Sequence, residues 1–516
     1  MGHPFFAKQF KFSQPDGTTI GVVGWGNDVN AVFETLDGYT IYQDPTDKIF
    51  YFAELHAKSR RFFSSGLIVG KDDPESIGLK KHLREDKSVI NVSKRKVELG
   101  QSISEWRKRR LRISAVNEIK AFDSSTQSAD ASLGHITGSI VGLCIPIEFI
   151  DEPAGVSRNE IQAFCNGSGY TQFGNNGSVR EYFLDVSNQK LDYTNLVTPI
   201  YRAKNPKTYY TDPRINVNTR TIELIEEALA FFVASNFPFD TLSISETGSV
   251  YALNLFYAGG LDNNYGEGLW PHQWHLDSPI NIGVGVVKDY QITNMGSSLS
   301  IGTFCHESGH LICNFPDLYD TDLDSAGVGI YCLMGLGGTH NEKNPTEPCA
   351  LLKYLAGWYD NVFPIYHGQL NTLQRDQNEI AYFLRNANEY LMFEHRTSTG
   401  RDSELPSTGL AVWHVDLNMD SNDQQHGNVD AHYLCSLVQA DGQFNLEWNV
   451  NPGDDRDLFG APDFPDYPNR DAGMKSKWWD GKSTGLTLSN IQANEQGSKF
   501  AVIISDESEA SNLSVV

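Results

Sequence analysis

Basic charge is scarce in this sequence, and long apolar runs are missing from it. Lys and Arg together number 41 against 65 Asp and Glu, a formal charge of −24. A surface of that sign has few counterions to release from a phosphate backbone, so nucleic acid is excluded as a general partner. The most apolar early run, ITGSIVGLCIPIEFI from Ile136, is interrupted by Gly and Pro and too short to cross a bilayer. No transmembrane segment is therefore expected. The opening MGHPFFAKQFKFSQPDG has no apolar stretch of the kind a signal peptide carries. Cysteine is also sparse: seven residues, at 144, 165, 305, 313, 332, 349 and 435, spaced unlike a small disulfide scaffold. Because the number is odd, at least one thiol is free or bonded outside the chain. No repeat of solenoid period is present.

What is present is the composition of a globular protein. Aromatic residues make up 11% of the 516 positions, enough chain for roughly two to four domains with a large core. The first eighty or so residues alternate polar and apolar in short runs (KQFKFSQ, TTIGVVGW, YTIYQD), separated by the turn formers Pro15-Asp16-Gly17 and Asp37-Gly38. A basic, helix-compatible stretch follows, ending in Arg107-Lys108-Arg109-Arg110, and then the Ser-rich FDSSTQSADASLG. Beside such a tether, the basic cluster reads as a site for an activating protease. Residues 219–235 carry apolar side chains at helical spacing, and 248–260 read as a strand. After about residue 366 strand-like runs return between Gly-, Asp- and Pro-rich connections. The expected organisation is multidomain α+β. It comprises a β-rich unit with a basic helical segment over 1–110, a linker over 111–134, a mixed α/β domain over 135–365 and a C-terminal β-sandwich over 366–516.

The chemistry concentrates in HESGH, residues 306–310. On a helix His306 and His310 share one face and can direct both imidazoles at one ion. Glu307 is rotated by about 100° from His306, beside the ion rather than on it, and suited to take a proton from zinc-bound water. Pro316 is expected to stop the helix, and Asp317-Leu318-Tyr319-Asp320 then offers carboxylates just past the turn. Further on, GVGIYCLMGLGG places Met334 in a Gly-rich turn that can pass under the metal.

These residues resemble the immune inhibitor A-like zinc metallopeptidases, whose signature is HExxH followed by a Pro-Asp-x-Tyr-Asp run. GNNGSVREYFLDVSNQKLDY, GLWPHQW, NPTEPCALLKYLAGW and LVQADGQFNLEWN are similar to further segments of that family, and the N-terminal residues are similar to its propeptide domain. The resemblance implies a zincin-like catalytic domain, an N-terminal propeptide and a secreted zinc endopeptidase made as a latent zymogen, although the chain as given shows no signal peptide. It implies protein or peptide substrates, and it places His272 at the substrate cleft. The family's aspartate comes six residues after the second histidine, whereas Asp317 comes seven after His310. The third ligand is therefore Asp317, Asp320 or a downstream glutamate, Glu342 or Glu347.

Other residues have two readings each. Cys305 and Cys313, if on one continuous helix, lie about 12 Å apart, too far for a mutual bond. They either pack in the core or bond to Cys332 or Cys349. His272 and His275, taken as bare residues, are ordinary core or surface histidines. NPGDDRDLF clusters Asp454, Asp455 and Asp457 as a calcium loop or as a solvated acidic turn, and EF-hand spacing is absent. The competing class is a catalytically silent binding protein or toxin cargo on the same fold; an intact Glu307 argues against silence.

Overall fold

The computed structural model describes residues 4–27, 30–85, 135–212, 215, 217–261, 269–321, 325–423, 432–460, 464–468 and 476–505. Most of the basic segment and the linker 111–134, with the expected processing site, lie outside the described residues. Helices and strands in several sheets give an α+β fold.

The N-terminal unit consists of two small antiparallel sheets. One has the order β1 (Phe5–Ser13), β2 (Thr19–Gly26), β3 (Ala31–Thr35); the other has β4 (Ile41–Gln43), β5 (Phe50–Leu55), β6 (Phe62–Ile68). Alternation decides which face is buried: Ile20 and Val22 point inward on β2, and Phe10 and Phe12 on β1. Gly17 turns the first hairpin at a φ of 88°, a backbone conformation that glycine reaches without strain.

The central unit is a sheet with the order β11 (His272–Asn281), β12 (Val286–Asn294), β10 (Leu253–Tyr257), β7 (Gly138–Glu148), β8 (Leu191–Val197); short β9 (Tyr201–Arg202) also pairs with β7. The pairs β12–β10, β10–β7 and β7–β8 are parallel, and β11 is an antiparallel edge strand. Both faces are covered, which is why β7 and β10 are apolar almost throughout. Ile140 and Cys144 face the side of helices α1 (Arg158–Asn166) and α2 (Val179–Val186). Leu143, Ile145 and Ile147 face α3 (Val217–Ala234). The core on that second face also takes in Phe5, Phe10, Phe12 and Val22, so the N-terminal unit and the central sheet share one apolar interior.

Helix α4 (Ile301–Cys313) lies on the α1/α2 side and packs against β11 and β12. Helix α5 (Ala350–Ala356) leads into the C-terminal sheets. These are a five-stranded sheet with the order β13 (Asn361–Pro364), β15 (Glu379–Leu384), β16 (Glu389–Arg396), β17 (Gly409–Asp416), β18 (Cys435–Leu437), and a three-stranded sheet of β14 (Leu370–Gln374), β20 (Gly497–Ile504) and β19 (Leu486–Asn494). Both contribute to one core: Phe393 of the first lies 6.0 Å, ring to ring, from Phe500 of the second. Strand β13 begins at Asn361, ahead of residue 366. No helix among the described residues is long and apolar enough to cross a membrane.

Candidate metal centre

Helix α4 carries HESGH through its second half, and its end is set by Asn314 rather than by Pro316. Asn314 adopts the left-handed conformation at φ 53°, and its N–H reaches back to the carbonyls of Gly309 and His310. That is an asparagine cap of the kind glycine more often supplies. The helix stops at Cys313, and the chain reverses to bring Asp317 back beside both histidines.

His306 Nε2 and His310 Nε2 stand 3.2 and 3.1 Å from Asp317 Oδ1. Among the described residues these three side chains form the one group of this kind, with donor atoms all within 4.8 Å of one another. All three are buried. Each Nδ1 is engaged: His306 Nδ1 lies 2.9 Å from the Leu333 carbonyl and His310 Nδ1 lies 2.6 Å from that of Phe315. A carbonyl only accepts, so both Nδ1 atoms carry a proton, and the Nε2 lone pairs turn toward Asp317. Although the distances are those of ion pairs, neither Nε2 nor either Asp317 oxygen makes a hydrogen bond. Lone pairs facing a carboxylate in a dry interior repel it; a cation between them removes the conflict. The group can hold a metal ion.

The electrostatics agree. Burial alone would raise the Asp317 pKa, but His310 and His306 beside it hold the carboxyl well below the usual carboxylate range. Burial pulls His306 down, yet Asp317 and Glu307 outweigh it and leave the imidazole raised, whereas burial prevails at His310 and lowers it.

Glu307 is buried beside His306 and stands outside the converging group. Met334 occupies the tight turn Leu333–Gly337 below the helix, and a Cβ on Gly309 would come within 2.9 Å of its Sδ. The same turn orients the site twice, because the Leu333 carbonyl holds His306 and the Met334 carbonyl accepts from Leu318 N at 2.8 Å, next to Asp317. Ser308 fastens the opposite side of the helix: Gln291 Nε2 donates to its Oγ at 2.9 Å and to Asn254 Oδ1 at 2.5 Å. Asn254 in turn donates to Asn195 and Tyr193. These positioning groups escaped the sequence, since main-chain carbonyls and cross-strand amides leave no local pattern.

The remaining candidates lie elsewhere. Asp320 is buried, and its Oδ2 accepts from Ser325 N at 3.1 Å. Glu342 pairs with Lys8 at 2.5 Å and Glu347 with Lys353 at 2.9 Å, which takes both glutamates out of the group. His272 starts the edge strand β11 in the interior, with Nδ1 2.6 Å from the Trp270 carbonyl and Nε2 3.2 Å from Tyr290 Oη. His275 is exposed and stacks on Trp274. All seven cysteines are buried free thiols, so no disulfide joins Cys305 or Cys313 to Cys332 or Cys349. In the acidic loop Asp454 and Asp457 are neighbours, with Asp454 N donating to Asp457 Oδ2 at 2.8 Å, while Asp455 is exposed. Asp441, which sequence reading passed over, joins them through the main chain, its N–H donating to the Arg456 carbonyl at 3.2 Å.

No family model matches the sequence, and a search of curated proteins finds no match.

Proposed function

We propose that the chain is a zinc-dependent endopeptidase held latent by its N-terminal unit. The observation that carries the reading is the buried convergence of two imidazole nitrogens and one carboxylate oxygen, none of them hydrogen-bonded at the converging atoms. His306, His310 and Asp317 would hold the ion, and three protein ligands of this kind are what open, catalytic zinc sites use. When bound, zinc supplies Lewis acidity, polarising a substrate carbonyl and making water acidic enough to lose its proton near neutral pH.

Glu307 is the residue for the proton. It follows His306 directly, is kept off the ligand set by the helical rotation, and its carboxylate can take a proton from water and return it to the leaving amine. The carbonyls of Leu333 and Phe315 keep both imidazoles in the tautomer whose Nε2 is free to bind. Glu307→Gln should keep stoichiometric zinc and lose about 10²–10⁴-fold in casein turnover. Near-normal turnover by a zinc-loaded variant would remove Glu307 from the mechanism.

Latency rests on where the N-terminal unit touches. Phe5 meets Trp270, just before β11, at 5.9 Å between rings. Lys8 pairs with Glu342, beyond the Met334 turn, and Asn27 Nδ2 donates to the Thr321 carbonyl, four residues past Asp317, at 2.9 Å. A tethered unit has a high effective concentration over whatever it covers, so modest contacts suffice to occlude it. Cleavage between residues 94 and 134, with the N-terminal piece removed, should raise the peptidase rate. Equal rates would make the unit a scaffold, and a fall would mean that its shared core with the central sheet supports the fold.

A further inference from the structure

Asp317 lies on a stretch without secondary structure of its own: residues 314–318 belong to neither helix nor strand. No ladder of hydrogen bonds therefore fixes where its carboxylate points, and the buried main chain around it has to be held by partners from elsewhere. Two of these come from the catalytic unit itself. Leu318 N donates to the Met334 carbonyl, and Val328 N donates to the Leu318 carbonyl at 3.0 Å. Gly327, at a φ of 59°, passes so close that a Cβ there would stand 2.1 Å from the same carbonyl oxygen.

The third partner is Asn422, which belongs to the C-terminal unit and sits in the connection between β17 and β18. Its side chain is buried. Asn422 Nδ2 donates to the Leu318 carbonyl at 3.0 Å and to the Cys435 carbonyl at 2.7 Å, while Oδ1 accepts from Cys435 N at 3.1 Å. Turning the amide over would set Oδ1 against two carbonyl oxygens, so its orientation is fixed. The side chain thus splints the start of β18 to the residue that follows Asp317. Asp423 adds a second grip from the same connection: its Oδ1 accepts from Thr321 N at 2.9 Å and from Thr321 Oγ1 at 2.5 Å.

We propose that Asn422 is a positioning residue of the metal centre, by which the C-terminal unit holds Asp317 in line with His306 and His310. The inference rests on the reading of Asp317 as the third ligand. The Leu318 carbonyl has two lone pairs, and Val328 N and Asn422 Nδ2 take one each, so the peptide group after Asp317 is pinned from two sides. Met334 pins the peptide group between Asp317 and Leu318. A ligand held this way is placed before any ion arrives, as the carbonyls of Leu333 and Phe315 place the two imidazoles. The C-terminal unit is then part of the site, since one of the three bonds that fix the Asp317 segment around Leu318 originates in it.

The test is the isosteric Asn422→Asp in the full chain, which keeps the bond from Cys435 N but sets an oxygen against the Leu318 carbonyl. Zinc affinity, from competition with a chelator, should fall about 10-fold, the low end of what groups orienting metal ligands contribute. Cobalt(II) bound in place of zinc should show a shifted visible absorption, which follows ligand geometry. In the metal-free chain, the amides of residues 317–321 should exchange faster with solvent while those of the 306–310 helix keep their rate. Asn166→Asp makes the same inversion against the Asn195 carbonyl, at the end of α1, and should move none of the three. If Asn422→Asp does not fold, Asn422→Ala, which deletes the donor without opposing the carbonyl, is read in the same way. Unchanged exchange at 317–321 overturns the inference. Faster exchange with zinc affinity and cobalt absorption unchanged overturns it as well, because Asn422 would then serve the fold and not the ligand. A wild type that binds no zinc overturns the peptidase reading instead, and the exchange comparison, which needs no metal, still decides whether Asn422 holds the segment.

Discussion

Arg396 and Asp317 both carry charge into the interior, and their surroundings differ atom by atom. The Arg396 guanidinium meets Asp402 through two hydrogen bonds, at 2.6 and 2.8 Å, and donates a third to the Tyr331 carbonyl at 2.9 Å. Close by, Lys353 Nζ lies 2.7 Å from Glu394, whose other oxygen accepts from Trp413 Nε1 at 3.0 Å. Each charge in that network has an opposite charge and donors or acceptors to match. It closes on itself and joins α5 and β16 to the segment before the Met334 turn. Asp317, by contrast, faces two imidazole nitrogens with no hydrogen bond between them. Buried charge that is fully matched holds a fold together, and buried charge left unmatched in a converging geometry marks a place for something else. The same test passes over the paired Glu342 and Glu347.

The sharpest way to break this contrast is through zinc. Asp317→Ala should strip the metal, measured as zinc per folded chain, because it removes one of the three converging donors. Asp320→Ala should keep zinc and lose the bond to Ser325 N, about 1–3 kcal/mol in urea unfolding. Zinc lost from Asp320→Ala and kept by Asp317→Ala would move the third ligand and reverse the comparison.

Arg396→Met should give the complementary result. It leaves Asp402 buried without its partner, while Glu394 keeps Lys353, so about 3–5 kcal/mol of stability should be lost while the folded fraction still binds zinc one to one. An unchanged unfolding midpoint would mean that the network is not the matched structure described here.

How far the sequence reached follows the same division. HESGH, the Pro-Asp that follows it and the Met334 turn are local patterns, and local patterns survive translation into structure. The alternating runs of β1 and β2 and the helical spacing in 219–235 were legible for the same reason. Pro316 misled about where α4 ends, because Asn314 takes the left-handed conformation that a sequence argument reserves for glycine. The carbonyls of Leu333 and Phe315 have no side-chain signature at all. Gln291 and Asn254 are polar residues in apolar strands, visible as anomalies but without a partner until the sheet brings them together. Asp441 stands 13 residues before Asp454 and joins the acidic loop only through main-chain pairing, while Asp455, one residue on from Asp454, faces solvent.

The smallest effect tests how tightly the turn is packed under the histidines. Gly309 lies between His306 and Met334, and a methyl group there would meet Met334 Sδ at 2.9 Å, closer than van der Waals contact allows. Two terms oppose each other in Gly309→Ala. Alanine in a helix interior is favoured over glycine by about 0.8–1.0 kcal/mol, whereas overpacking a tight core costs about 1–3 kcal/mol. The net should be a loss of up to about 2 kcal/mol, softened because a methionine side chain can shift. Shortening the neighbour separates the two terms. In a Met334→Ala background the contact is gone, and Gly309→Ala should then stabilise the helix by its propensity alone. The coupling measured by the double-mutant cycle is the packing contribution. Zero coupling would mean that Met334 does not press on the helix, and a turn that does not press cannot fix the Leu333 carbonyl that orients His306.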